Sequence, residues 1–435
     1  MDLPPSAAGR PALTASDLPP AVRDHLLSRT GAAEPASGYL YDPAAAIRRA
    51  TELRTALPDW ARICYAVKAN SYPPLVHALA PYVDGFEVAS AAEATLARHV
   101  QATLDGHLPS ADSTTRDDGR LMVAAGPAKT ERLLHRLVDL DVDLVNVESA
   151  LELHRLQVVA DRLDRRVDVA LRVNPQAVSV SGALTMGGSA TQFGIPEAEV
   201  PNVLRLAATL PRLRVVGFHV HVVGNNLDAA AHAAYVAWCL DWSRRTAEAY
   251  GLALRFVDVG GGLGVPFGGE QPFDVKEFGS RLADLAPPPD CRVLFEPGRY
   301  LVTDAGWYAA EVVDVKQTYG TWFVVLRGGI NHFQLPTSWD IPHRFAVLPV
   351  ADWPHPYPRP EVRDQPVTVV GELCTTEDTL ARDVTVTAVR AGDQIVFPMA
   401  GSYGWEFAMP SFLSHPPATR TLLPSPPLTS PDPLR

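Results

Sequence analysis

The chain has 435 residues, 47% of them hydrophobic and 20% charged. That apolar share is ample for a large buried core and excludes disorder along the whole length. A formal net charge of −11 excludes a nucleic-acid binder that works through a broad basic face, while leaving room for a local phosphate pocket.

Four cysteines, Cys64, Cys239, Cys291 and Cys374, are too scattered for a disulfide framework or a paired-thiolate zinc site. They fit a reducing compartment. No apolar run reaches the roughly 18 residues of a membrane span. The N-terminal MDLPPSAAGRPALTASDLPP lacks the continuous apolar stretch of a signal peptide. These features point to a cytoplasmic protein with neither a membrane nor a nucleic acid as partner.

In chain order, the proline-rich residues 1–20 and 416–435 read as flexible tails. A helix over DPAAAIRRATELRTALPD then precedes an alternation of short apolar runs and amphipathic helices. The runs are ICYAVK (63–68), GFEVAS (85–90), RLMVAAGP (120–127), DLVNVES (143–149), VDVALRVNP (167–175), VVGFHVHVVG (215–224), RFVDVGGG (255–262) and RVLFEPGR (292–299). Between the second and third, Gln101 to Gly119 reads as a surface insertion. Eight strands alternating with helices fit a (β/α)8 barrel. A doubly wound sheet is the competing architecture. However, GGGLG at 260–264 is not GxGxxG, and it follows the seventh run rather than the first.

Beyond about residue 303 the helical texture fades. WFVVLRGG (322–329), QPVTVVG (365–371), DVTVTAVR (383–390) and DQIVFPM (393–399) read as strands of a second, mostly β domain. The expected layout is an N-terminal segment over 1–37, the barrel over 38–302, a C-terminal β domain over 303–415 and a tail over 416–435.

The barrel runs end in reactive side chains: Lys68 and Asn70, Glu87, Glu148, Arg172 and Asn174, His219 and His221, three glycines, then Glu296 and Arg299. A barrel gathers such ends on one face, where barrel enzymes keep their active site. Lys68, desolvated at a strand end, would offer a free amine for a Schiff base, or else pair with Glu87. Gly260, Gly261 and Gly262 would cradle a phosphate or simply make a tight turn. Arg299 is a cation for phosphate or carboxylate. Glu296 is a base or the partner of a protonated ring nitrogen. His219 and His221 share one side of a strand. No acidic partner with metal spacing follows them, so no metal is assigned, and a flat imidazole stacked on a planar cofactor is preferred. This set is the inventory for pyridoxal 5′-phosphate. A carboxylate at the pyridine nitrogen makes the ring a strong electron sink and tilts the reading toward decarboxylation.

YAVKAN (65–70), HVHVVG (219–224), DVGGGLG (258–264), EPGR (296–299), GELCTTED (371–378) and SYGWEF (402–407) occur in an order that resembles the fold-type III pyridoxal-phosphate decarboxylases. That family includes diaminopimelate, ornithine and arginine-type decarboxylases and a siderophore-biosynthesis branch. The resemblance spans about residues 38–415. It implies that Lys68 binds the cofactor, that His221 stacks on its ring, and that Gly260, Gly261 and Gly262 form the phosphate loop. Glu296 then meets the pyridine nitrogen, Arg172 contributes to cofactor binding, and Arg299 lies near the phosphate or the substrate carboxylate. Cys374 matches the cysteine that returns a proton to carbon, and Tyr403 a tyrosine that reaches the phosphate. It also implies a homodimer with shared active sites, Cys374 and Tyr403 coming from the second subunit, and a β domain that takes in part of the N-terminal segment. Thr375 stands where the family usually has an acidic residue that reads a distal amine, which places Thr375 among the substrate-binding residues. HVVG replaces the usual serine-bearing phosphate motif, and Gln192 replaces a common lysine. The tail after Tyr403 is most similar to the siderophore branch, whose substrates are amino acids conjugated to a carboxylic acid. Free diaminopimelate or ornithine, and a racemase of the same fold, remain the alternatives.

Overall fold

A computed structural model describes residues 11–29, 36–104, 120–176, 178, 180, 182, 184–339, 341 and 343–424. Most of the expected insertion (105–119) and the ends of both tails (1–10 and 425–435) lie outside the described residues. The chain forms two compact units. Of the described residues, one takes in those within 47–265 and 271–301, and the other those within 11–46, 266–270 and 302–424.

The first unit is a closed parallel barrel. Its strands are β1 (Ala61–Ala66), β2 (Gly85–Val88), β3 (Leu121–Ala124), β4 (Leu144–Val147), β5 (Val167–Asn174), β6 (Leu213–His219), β7 (Phe256–Asp258) and β8 (Arg292–Phe295). Each pairs in parallel with the next, and β8 returns to β1 through Phe295 and Ile63. All eight runs read from the sequence are strands here. They are mostly apolar because parallel strands are covered on both faces. β3 and β4 are buried at every position. Cys64, Leu121, Val123, Leu144, Ala170, Val216, Phe256 and Leu294 form one buried cluster.

The helices start where short polar side chains can cap them. Thr130 accepts from the Leu133 N–H, Ser149 from Glu152, Asp228 from Ala231 and Asp274 from Glu277. The helix after β2 runs over Ala91–Leu104. Gln101, expected to open the insertion, is therefore helical. It is buried because its side-chain amide donates to the Arg120 carbonyl at 3.0 Å.

The second unit is built on a nine-stranded sheet. Strands run over Gly306–Thr318, Thr321–Leu326, Ala346–Leu348, Glu361–Val370, Thr379–Arg390 and Gln394–Phe397. Two departures from the sequence reading stand out. Leu13–Thr14 and Thr419–Leu422, expected in flexible tails, are sheet strands, paired with Ala346–Leu348 and Ser37–Tyr41 respectively. Backbone pairing holds them despite their flanking prolines. The long strand Gly306–Thr318 was not expected, because its small buried Ala309 and Ala310 blur the alternation.

Candidate active site

β1 runs into a single 3-10 turn, Val67–Ala69, that carries Lys68. Lys68 Nζ lies 2.6 Å from Glu87 Oε2 of β2; Glu87 is fully buried, whereas the lysine side chain is 38% exposed. The ion pair raised as the alternative in the sequence is thus present, and it aims the amine. A buried carboxylate needs a partner, and this one holds Lys68 at the strand end. Gly298 of the loop after β8 packs directly against the same turn. A Cβ there would lie 2.8 Å from Ala69 Cβ and 3.1 Å from Ala66 Cβ.

β6 delivers His219, and His221 follows it; their rings are 6.4 Å apart and tilted by only 13°. Burial, reinforced by the Arg172 charge, holds both imidazoles well below the usual histidine range, so both are neutral. The Gly261 N–H donates to His221 Nδ1 at 3.2 Å. That bond makes Nδ1 the acceptor and leaves the ring proton on Nε2. Arg172, on β5, donates to Glu148 Oε1 at 2.7 Å, with both groups buried. Its guanidinium stands 4.6 Å over the Phe193 ring. Arg299 is also buried.

β7 ends in Asp258, whose carboxylate accepts from Gly260 N–H at 3.0 Å and from Asn146 Nδ2 at 2.8 Å. Glu296 follows β8 and shares a side-chain hydrogen bond with Asp258. Burial, with Asp258 and Glu87 acting in the same sense, pushes the Glu296 carboxyl well above the usual range. His219 Nε2 is 3.7 Å from Glu296 Oε2. Glu296 Oε1 is buried with no hydrogen-bond partner among the described residues.

The glycine loop is shaped by close approach. Gly260 has φ +69°, and a Cβ there would fall 2.4 Å from His221 Nδ1. The Gly260 and Gly261 N–H groups are committed to Asp258 and His221, which leaves Gly262 as the member of the triplet not engaged by those two. The loop is braced from the helix Ala229–Tyr250. Tyr235 Oη lies 2.6 Å from the Val220 carbonyl and 3.0 Å from that of Val259, the residues just before His221 and Gly260. We expect Tyr235→Phe to weaken cofactor binding about fivefold, the worth of one hydrogen bond of ~1 kcal/mol. An unchanged affinity in an absorbance titration would count against this bracing role.

His232, on the same helix, packs against Tyr235, Phe273 and Phe278. Burial lowers its pKa to about 4, below the ordinary value near 6.5. The sign follows from proton counting. Between pH 4 and 6.5 the unfolded chain binds a proton at this site that the folded chain does not, so stability is lost as pH falls through that window. Wild-type stability measured against His232→Gln should therefore decline from pH 7 to pH 5. A pH-independent difference would refute the assignment.

In the second unit, Cys374 is exposed on the loop after Glu361–Val370. Buried Asp378 organises that loop, accepting from Leu373 N–H and Ile330 N–H, each at 2.7 Å. Tyr403, at φ +57°, packs against Trp339 (4.9 Å) and Phe407 (6.0 Å). Lys68, Arg172, His221, Gly260, Gly261, Gly262, Glu296 and Arg299 thus belong to the barrel unit, and Cys374, Thr375 and Tyr403 to the other.

The barrel set fits pyridoxal phosphate. An amine stands at a strand end, the glycine turn has no room for a Cβ, a neutral imidazole is fixed by its tautomer, and the buried Glu296 Oε1 lacks a partner. A family model described as the pyridoxal binding domain of pyridoxal-dependent decarboxylases matches residues 44–303. The chain belongs to this family. The decarboxylase is 34% identical over 386 residues to the 2-[(L-alanin-3-ylcarbamoyl)methyl]-2-hydroxybutanedioate decarboxylase of Staphylococcus aureus, a match covering 88% of this chain and 92% of that one. It is 29% identical to the L-glutamyl-(acyl-carrier protein) decarboxylase of Niallia circulans, over 87% of this chain and 86% of the relative. Among solved structures it superposes on diaminopimelate decarboxylase from Helicobacter pylori complexed with L-lysine, with TM-score 0.76 and 25% identity over 92% of this chain and 94% of that one. It is a pyridoxal-phosphate-dependent carboxy-lyase.

Asn146, Asp258 and Tyr235 were not assigned roles from the sequence. Asp258 carried the same signal as Lys68, a charge closing an apolar strand. Asn146 was legible as a lone amide inside the fully buried LVNV, where a polar group needs a specific partner. Nothing in the sequence singled out Tyr235 from the other aromatic residues of its helix.

Proposed function

We propose that the decarboxylase removes CO2 from an α-amino acid carried on a larger, carboxylate-bearing conjugate, in siderophore or other secondary-metabolite biosynthesis. The observation that carries this is Thr375, a neutral hydroxyl beside Cys374 where the resemblance implies an acidic reader of a distal amine. The Staphylococcus aureus relative, whose name describes an amino acid linked through an amide to a hydroxydicarboxylate, supports the same substrate class.

When bound, pyridoxal phosphate supplies the electron sink for the charge left on carbon after CO2 departs. The chain's own groups divide the remaining work. Lys68 holds the cofactor through its amine. His221 limits the ring from one face, its tautomer set by Gly261. Glu296 meets the ring nitrogen, and Arg172 orients the histidine side of the pocket. Gly262 and Arg299 serve the phosphate or the substrate carboxylate. Tyr403 reaches the phosphate, and Cys374 returns a proton to carbon.

The reading includes a homodimer in which Cys374 and Tyr403 of each chain complete the partner's site. The exposed apolar side chains Phe407, Met409, Phe412 and Leu413, close after Tyr403, support such a contact surface. It also includes a cytoplasmic location, where an exposed Cys374 thiol stays reduced.

Release of CO2 from a citrate-linked diamino acid, free diaminopimelate, ornithine and lysine tests the substrate class. The conjugate should have the highest kcat/KM, by about tenfold or more, the scale of one lost polar contact. Faster turnover of free diaminopimelate or ornithine would replace this reading. Exchange at Cα in deuterated water without CO2 release would point to the racemase.

A further inference from the structure

Glu296 does not stand alone behind the place assigned to the ring nitrogen. One of its carboxylate oxygens, one of Asp258 and a ring nitrogen of His219 all lie within 4.8 Å of one another, and all three residues are buried. Two buried carboxyls this close cannot both ionise without a large penalty, so a single shared proton is the favoured state. The hydrogen bonds around them are unequal. Asp258 accepts from Asn146 Nδ2 at 2.8 Å and from Gly260 N–H at 3.0 Å. Glu296 Oε1 has no hydrogen-bond partner among the described residues. Donors aimed at one carboxyl stabilise its anion and leave the proton on the other.

The surrounding charges leave this asymmetry in place. Lys68 is paired with Glu87, Arg172 with Glu148 and Lys129 with Glu152. His219 and His221 are neutral. These three cations already have carboxylates, and the donors to Asp258 favour it as the ionised member of the pair. Asn146 is itself held in place, since its backbone carbonyl accepts from the buried Lys129 Nζ at 2.9 Å.

We propose that the cofactor's ring nitrogen meets a carboxyl pair holding one proton, and that Asn146 is a positioning residue that fixes Asp258 as its ionised member. Glu296 then presents its unpartnered oxygen to the ring nitrogen, with the Asp258 charge behind it. This rests on the reading that Glu296 faces that nitrogen. The arrangement keeps negative charge at the pyridine edge while giving Glu296 a fixed orientation.

The experiment uses holoenzyme loaded with cofactor labelled with 15N in its pyridine ring, observed by NMR without substrate. Wild type should show a resonance partway to the protonated-nitrogen value. Asn146→Leu is close in size but has no donor, so the shared proton shifts to Asp258, Glu296 becomes the anion facing the ring nitrogen, and the resonance should move from its wild-type position further toward the fully protonated value. Asn146→Asp provides the second reading should the leucine variant not fold. Its new carboxyl donates only when protonated, so the resonance should be near wild type in acid and displaced in alkali. An unmoved resonance in whichever variants fold, with cofactor bound, overturns the proposal. Glu296→Ala separates the two levels. If it too leaves the resonance unmoved, the placement of Glu296 is wrong. If it alone moves the signal, only the carboxyl pair is.

Discussion

Lys68→Ala is expected to purify without the visible absorbance of covalently held cofactor and to lose at least about 10³-fold in kcat/KM, the scale on which removing one member of a reacting set acts. Two consequences of the variant need to be separated. One is chemical, since no other amine is assigned to hold the aldehyde. The other is structural, since Glu87, fully buried and 2.6 Å from Lys68 Nζ, is left without its ion pair. Removing one partner of a buried ion pair costs about 3–5 kcal/mol. The thermal midpoint of Lys68→Ala should therefore drop. Adding Glu87→Gln should restore much of that midpoint and none of the activity. Rescue of both would mean that Lys68 is a structural cation and that the chemistry lies elsewhere.

Gly260→Ala should cost cofactor binding far more than it costs the fold. The positive φ alone is a modest obstacle, worth about 1–2 kcal/mol for a residue with a Cβ. The larger effect is steric. The new Cβ would sit 2.4 Å from His221 Nδ1 and 2.7 Å from His221 Cβ, so the imidazole has to turn and release the Gly261 N–H. Overpacking of this kind adds about 1–3 kcal/mol. That steric part, expressed at the site, predicts roughly a 10- to 100-fold weaker apparent cofactor affinity, read by titrating apo-enzyme. Gly251→Ala is the matched control. It has a similar φ of +63° but nothing within 4 Å of the added atom, so it should show the backbone strain alone, with cofactor affinity near wild type. Equal losses in the two variants would remove the steric argument.

The barrel was legible because its strands are short, apolar and closed by charged or polar residues, and because parallel strands keep chain order. The residues proposed to hold the cofactor were picked out for the same reason: a lysine, a histidine or a glutamate at the end of a buried run is costly unless it is used. What supports them was harder to see. Asp258 and Asn146 act through each other across 112 positions of sequence, and no local pattern links a strand-end acid to an amide three strands earlier. Tyr235 contributes one hydroxyl from a helix whose spacing is explained by packing alone. The β unit was read in part, because its strands at 13–14 and 419–422 are too short and too flanked by proline to show a period. Their identity as strands depends on partners far away in the chain.

The loop that bears Cys374 is fastened from within. Asp378 grips the Leu373 and Ile330 amides, while the Thr375 hydroxyl makes one long bond, 3.3 Å from the Glu377 N–H. On the proposed assignment of Thr375 to the substrate, anchorage and selectivity reside in different side chains. Descendants of one ancestral enzyme could exchange the residue at 375 and adopt new metabolites while their proton donor stayed in register, a division of labour that lets catalytic repertoire diversify without rebuilding the scaffold.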